Sequence, residues 1–210
     1  ETRLMTCMVN LQGIAPDKII NEGWLKGERE NMAALVAYIV TESNGVKVKV
    51  DSRHPAMKKM YELGKQTFYY RAGPMDFSCA TCHGDQGKRI RMQELPDLRT
   101  HEGAIAGWGS WPAYRVSNGQ FWTMQHRLND CFRQQRTAEP IYGSDVTIAL
   151  SVYLATKANG GKRLVLSYVN IGAAENWRCA RPAGWVWLAL PEHLSRRHDR
   201  GYSSGSRNRH

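Results

Sequence analysis

Over residues 28–43 the chain places Met32, Leu35, Val36, Ile39 and Val40 at spacings of three and four, one apolar helix face. Asn44-Gly45 follows as a C-terminal stop. Residues 54–70 repeat the pattern with Met57, Met60, Tyr61, Gly64 and Phe68, and Pro55 suits the first helical turn. Gly73-Pro74 breaks it. Ser144 suits the N-cap of a third helix over residues 146–158, closed by Asn159-Gly160. Residues 84–122 are rich in Gly and Pro with no sustained period, which predicts loop. No alternating run in residues 1–161 predicts a sheet, so the expected fold is small, all-α and loop-rich.

The pattern also repeats. An offset of 115 aligns Ala34-Leu35 and the run from Tyr38 to Gly45 with Ala149-Leu150 and the run from Tyr153 to Gly160. Upstream, Arg3-Leu4-Met5-Thr6-Cys7 parallels Arg127-Leu128-Asn129-Asp130-Cys131. Two matched blocks in the same order predict a duplicated unit. The first copy lacks the stretch that precedes Arg127 in the second, so the chain is expected to begin inside its first domain. It starts at Glu1 without an initiator Met, a basic leader or an apolar h-region.

Charge changes the picture in one respect. The net charge is +10, but residues 162–210 hold 9 basic and 3 acidic groups, so most of the excess lies in the last 49 residues. Basicity confined to a tail predicts no general nucleic-acid binding. No apolar run approaches the ~20 residues of a membrane span. Residues 162–210 are expected to be a basic tail, disordered or mistranslated, with a short strand at residues 184–190 and no assigned function. The 5 cysteines, an odd number, exclude a fully paired disulfide scaffold within one chain.

Cys79-Ala80-Thr81-Cys82-His83 carries the sharpest chemistry. Two thiols one helical turn apart can form thioethers with the two vinyl groups of a haem, and the adjacent imidazole is then delivered to the iron. A structural zinc needs four ligands, and there is no second Cys-x-x-Cys. A thioredoxin-like pair needs a βαβ context, which is missing. Covalent haem c on Cys79 and Cys82 with His83 as proximal ligand is the reading, and it implies export from the cytoplasm. Met92, Met124, His126 and Cys131 all qualify by spacing as the opposite ligand, and Cys131 also reads as a buried apolar thiol or a partner of Cys179. Arg127, one turn before Cys131 on a helix, lies over its sulfur. Its planar donors suit an oxyanion, as they suit Asp130 or a haem propionate. Arg115 is a second candidate for a propionate.

Residues 1–161 resemble the A subunits of the SoxAX cytochromes of bacterial sulfur oxidation. The resemblance rests on Thr6-Cys7-Met8-Val9 with Gln12-Gly13, the run from Met32 to Tyr38, Gly73-Pro74-Met75-Asp76-Phe77-Ser78, Trp111-Pro112-Ala113-Tyr114-Arg115 and Arg127-Leu128-Asn129-Asp130-Cys131. It implies two tandem cytochrome c-like domains, here the end of a first domain in residues 1–50 and a haem-bearing domain in residues 51–161. It implies that Cys131, as cysteine or persulfide, ligates the haem iron opposite His83 and is the catalytic sulfur; Arg127, on the same helix face, is then the candidate to bind substrate. A haem or a disulfide occupies the first domain of the family, and Cys7 belongs to one or the other. The implied activity conjugates thiosulfate to a cysteine of a SoxYZ-type carrier, releasing two electrons to haem. The implied setting is the periplasm, beside a SoxX-type cytochrome c partner in a heterodimer. The other classes are an electron-transfer cytochrome c without transferase activity and a haem-bearing docking subunit.

Overall fold

The computed structural model describes residues 1–90 and 92–163. In chain order they form α1 (Thr2–Gln12), α2 (Pro16–Ile20), α3 (Gly27–Glu42), α4 (Pro55–Tyr69), α5 (Cys79–His83), β1 (Arg89–Ile90), β2 (Gln93–Glu94), α6 (His101–Gly109), β3 (Ala113–Arg115), a 3-10 turn (Val116–Asn118), β4 (Gln120–Trp122), α7 (Met124–Gln134) and α8 (Asp145–Lys157). The three expected helices are α3, α4 and α8, each end within one residue of expectation. Pro55 opens α4, and the His54 imidazole accepts the Ala56 N–H at 3.2 Å as its cap. α8 follows Ser144, whose side chain makes no cap bond.

Two expectations are corrected. The all-α reading gives way to a mostly helical fold with two small antiparallel hairpins, β1–β2 and β3–β4. In the second, Ala113 faces Trp122 and Arg115 faces Gln120, around a turn with Gly119 left-handed at φ 66°. Strands of two or three residues are too short for alternation to register in a sequence. The loop expected over residues 84–122 contains α6, whose run His-Glu-Gly-Ala-Ile-Ala-Gly-Trp-Gly is rich in glycine and carries no polar stripe.

α4 and α8 cross at Gly64. A Cβ there would lie 2.1 Å from the Ala149 carbonyl oxygen, so the crossing requires glycine. Around it Phe68, Leu98, Leu128, Leu150, Tyr153 and Leu154 form one buried core. Met8, Ile19, Met32 and Tyr142 form a second, built mainly from α1 to α3. α3 reaches it through Arg29, Met32, Ala33 and Val36, while Leu35 and Ile39 of the expected face are 45% and 44% exposed.

The segments after α3 and α8 pair with each other. Gly45 N–H donates to the Arg163 carbonyl at 2.9 Å, Arg163 N–H to Val46 at 3.0 Å, Val48 N–H to Gly161 at 2.8 Å and Gly160 N–H to Val48 at 2.8 Å. Lys47 and Lys162 sit opposite each other. The Asn159 amide extends the pairing by exchanging two bonds with the Val50 backbone, at 2.7 and 3.0 Å. Lys162 and Arg163, the start of the expected tail, are held in this pairing. The strand expected at residues 184–190, Cys179 and the rest of the tail lie outside the described residues. Among the described residues no helix is long and apolar enough to cross a membrane.

Candidate active site

α5 is one turn of helix held by its own sequence. Ser78 Oγ accepts the Thr81 N–H at 3.2 Å while Thr81 Oγ1 accepts the Ser78 N–H at 3.0 Å, a reciprocal cap that uses a residue between the two cysteines. Cys79 and Cys82 are thereby presented three residues apart as free thiols. The loop after β2 brackets the next residue. His83 Nδ1–H donates to the Pro96 carbonyl at 3.0 Å, and the Leu98 N–H donates to the His83 carbonyl at 3.0 Å. The first bond fixes the tautomer and leaves Nε2 bare as a ligand atom. Burial pushes the imidazole pKa down against the opposing Pro96 bond, keeping the ring in its ligating, neutral form.

α7 supplies the opposite wall. Thr123 caps it by accepting the His126 N–H at 3.3 Å. Burial raises the Cys131 thiol, the positive charge of Arg127 opposes this, and Asp130, Cys82 and Arg115 are the other charges it feels. Burial likewise pushes Cys79 up to about 12, with Cys131 and the Gln135 side chain beside it. The structure therefore brings Cys79, Cys82, His83, Arg127 and Cys131 into one cluster.

Arg127 is tethered: its Nη1 donates to Asp130 Oδ2 at 3.0 Å, and its guanidinium carbon lies 6.0 Å from the Trp111 ring centre. Asp130 also accepts from Arg133 and from Gln134 Nε2 at 2.7 Å. Burial alone would raise the Asp130 carboxyl, but these hydrogen bonds and the arginine charges hold it below its ordinary value. The pairing with Asp130 was one of the alternatives open from sequence, and it leaves Arg127 beside Cys131.

Of the other ligands allowed by spacing, Met92 is exposed and His126 is engaged elsewhere. Met92 is 76% exposed at the tip of the β1–β2 hairpin. Met124 packs on the Phe68 core, the core that Cys79 and Ala80 also touch. The His126 ring is sandwiched between Trp24 and Trp122, with centroids at 4.3 and 4.0 Å and planes within 5° and 20° of parallel. Cys7 is a free, exposed thiol on α1. Sequence reasoning missed Pro96, because any backbone carbonyl can serve that purpose. It also missed the tryptophan sandwich, because Trp24 and His126 are far apart in the chain.

Among the described residues no group of three or more His, Cys, Asp or Glu side chains is arranged to hold a bare metal ion. Two unpaired thiols one turn apart, next to an imidazole whose second nitrogen is already tied to a carbonyl, fit a haem attached by thioethers. The chain thus contains a c-type cytochrome domain, a class that holds haem c covalently. The SoxA/TsdA cytochrome c domain family matches residues 63–162. An L-cysteine S-thiosulfotransferase subunit SoxA of Hydrogenophilus thermoluteolus is 71% identical over 164 residues, 78% of this chain and 60% of that protein. A protein of the same description from Hydrogenobacter thermophilus is 40% identical over 162 residues, 77% of this chain and 58% of the other. The crystal structure of SoxXA from P. pantotrophus matches 78% of this chain and 57% of its own with a TM-score of 0.61 at 28% identity. Residues 63–162 are thus similar to the SoxA/TsdA cytochrome c domain, and the chain spans about 60% of the length of the curated relatives named here.

Proposed function

We propose that this chain is the haem-bearing part of an L-cysteine S-thiosulfotransferase and that Cys131 is its catalytic sulfur. The observation that carries the reading is the position of Cys131: its buried sulfur is close enough to couple electrostatically with Cys79 and Cys82 of the Cys-x-x-Cys-His turn, with Arg127 one helical turn away. Cys79 and Cys82 would hold haem c, and His83 and Cys131 would supply donors to its iron. When bound, haem c supplies an electron acceptor beside the reacting sulfur.

Arg127 binds the sulfonate oxygens of thiosulfate and orients its outer sulfur towards Cys131. A bond forms between that sulfur and Cys131 Sγ with loss of two electrons, one of which the haem held by this chain would take and the other a haem of the SoxX-type cytochrome c partner. A thiolate of the carrier protein then attacks the bound outer sulfur. The carrier departs with the thiosulfonate group, and Cys131 returns as thiolate. Asp130 fixes the Arg127 fork, and Trp111 flanks it. Atoms and charge balance: thiosulfate and a carrier thiolate give one carrier S-thiosulfonate and two electrons.

The tandem arrangement, residues 1–50 from a first cytochrome c-like domain and 51–161 as a second, belongs to the same reading. It is supported by the pairing of residues 45–48 with 160–163, because its four bonds map onto one another under the offset of 115. Cys7 then belongs to a first-domain haem or disulfide. The partners are a SoxX-type cytochrome c and a SoxYZ-type carrier, and the compartment is the periplasm, where haem attachment and thiosulfate meet.

Mass spectrometry of the Cys131 peptide tests the reading. After exposure of the oxidised holoprotein complex to thiosulfate, the peptide should gain a thiosulfonate group, and Cys131→Ala should abolish turnover while preserving partner binding. An unmodified thiol in turning-over protein overturns it.

A further inference from the structure

Arg115 has no part in the chemistry above, yet its placement is specific. It ends β3, opposite Gln120, and its guanidinium carbon lies 5.3 Å from the ring centre of Trp122, a side chain 9% exposed on the paired strand. The Nε–H of Arg115 is sealed from solvent and has no hydrogen-bond partner. Such a donor is costly to bury unless an acceptor arrives. Asp130 cannot readily be that acceptor, because Arg127, Arg133 and Gln134 already occupy its two oxygens. The charges acting on Arg115 are those of Arg127, Asp130 and Cys131. One short segment, Trp111 to Arg115, thus flanks Arg127 at its first residue and ends in a second guanidinium within electrostatic reach of Arg127 and Cys131. Asp130 is the one carboxylate among the charges acting on Arg115, set against the guanidinium of Arg127, a balance suited to a doubly charged oxyanion.

We propose that Arg115, presented by the β3–β4 hairpin on the face of Trp122, is a second oxyanion-binding arginine of the Cys131 site, holding with Arg127 the sulfonate of thiosulfate. This rests on the transferase reading and adds to it the residue that sets preference for a tetrahedral, multiply charged sulfur oxyanion. A haem propionate shares the oxyanion chemistry and is the competing occupant.

The test uses the holoprotein complex with Arg115→Gln and Arg115→Lys. Inorganic sulfate is titrated calorimetrically, and loading of Cys131 is followed by mass spectrometry against thiosulfate concentration. Loss of one charge-assisted donor pair should weaken sulfate binding about 10–100-fold in Arg115→Gln, and raise the thiosulfate concentration for half-loading in proportion. KM should rise more than kcat falls. Arg115→Lys, which keeps the charge over Trp122, should lie between the two and serves alone if the glutamine variant does not fold. Unchanged sulfate affinity and half-loading overturn the proposal. So does a shifted haem reduction potential with unchanged sulfate affinity, which assigns Arg115 to a propionate. If wild-type Cys131 never carries a thiosulfonate, the transferase reading falls while sulfate affinity still judges Arg115.

Discussion

The Cys-x-x-Cys-His residues announce themselves in the sequence because their chemistry depends on spacing along one turn. The groups that tune them do not, because they arrive from distant segments. His126 shows the difference. Spacing made it a candidate haem ligand, whereas the fold buries it between two indoles, 8% exposed. Burial is the main cause that pushes its pKa down to about 4; Arg29 adds to it, and Asp130 opposes. An unfolded histidine titrates near ~6.5, so between the two values the unfolded chain binds the proton and the native one does not. Stability is then full above about pH 6.5 and falls progressively towards pH 4, by on the order of 3 kcal/mol. Thermal melts across that range should show the slope, and His126→Gln should flatten it. An equal slope in both proteins would remove His126 as the cause.

Elements were legible in proportion to their length. α3, α4 and α8 span several turns, and their apolar period and stop signals place them within a residue. The hairpins are below the length at which a period exists, and α6 is built of small residues whose purpose is close approach. Even where a helix was correctly placed, its buried side was not always the expected one: α3 packs through Arg29 and Ala33 and leaves Leu35 and Ile39 half exposed. Gly64 is the position where an element fails first. In Gly64→Ala the new methyl would meet the Ala149 carbonyl, a backbone atom that cannot rotate away. Forcing α4 and α8 apart should cost about 1–3 kcal/mol or more, read as a lower urea midpoint. An unchanged midpoint would mean that the crossing is looser than described.

At the scale of the molecule, two cores are joined by side chains and backbone from both. Trp24, anchored beside the Met8–Met32 core, stacks on His126, and Arg29 lies 4.6 Å from its ring centre on a side chain that also reaches the Ile19 carbonyl at 2.7 Å. No local pattern in the sequence revealed how the two cores touch, since contacts between distant residues leave no periodic trace. Trp24→Ala should loosen this junction by about 3–5 kcal/mol, the usual loss for a packed indole. Limited proteolysis should then cut residues 43–54 faster, with the haem-region spectrum little changed. Equal protease resistance would show that backbone pairing alone holds the halves.

That pairing has a consequence for charge. Its bonds come in exchangeable pairs around Lys47 and Lys162, the arrangement of an isologous contact in which a surface meets its own copy. Any residue on the axis of a true homodimer faces itself, so a charged side chain there must oppose a like charge. A single chain escapes this constraint, because the two positions can mutate separately. Lys162→Glu, with Lys47 kept, turns a repelling cross-strand pair into an attracting one and should add about 0.2–1 kcal/mol of stability. Lys47→Glu should do the same, and the double substitution should return the gain, as a thermal-melt cycle of the four proteins would reveal.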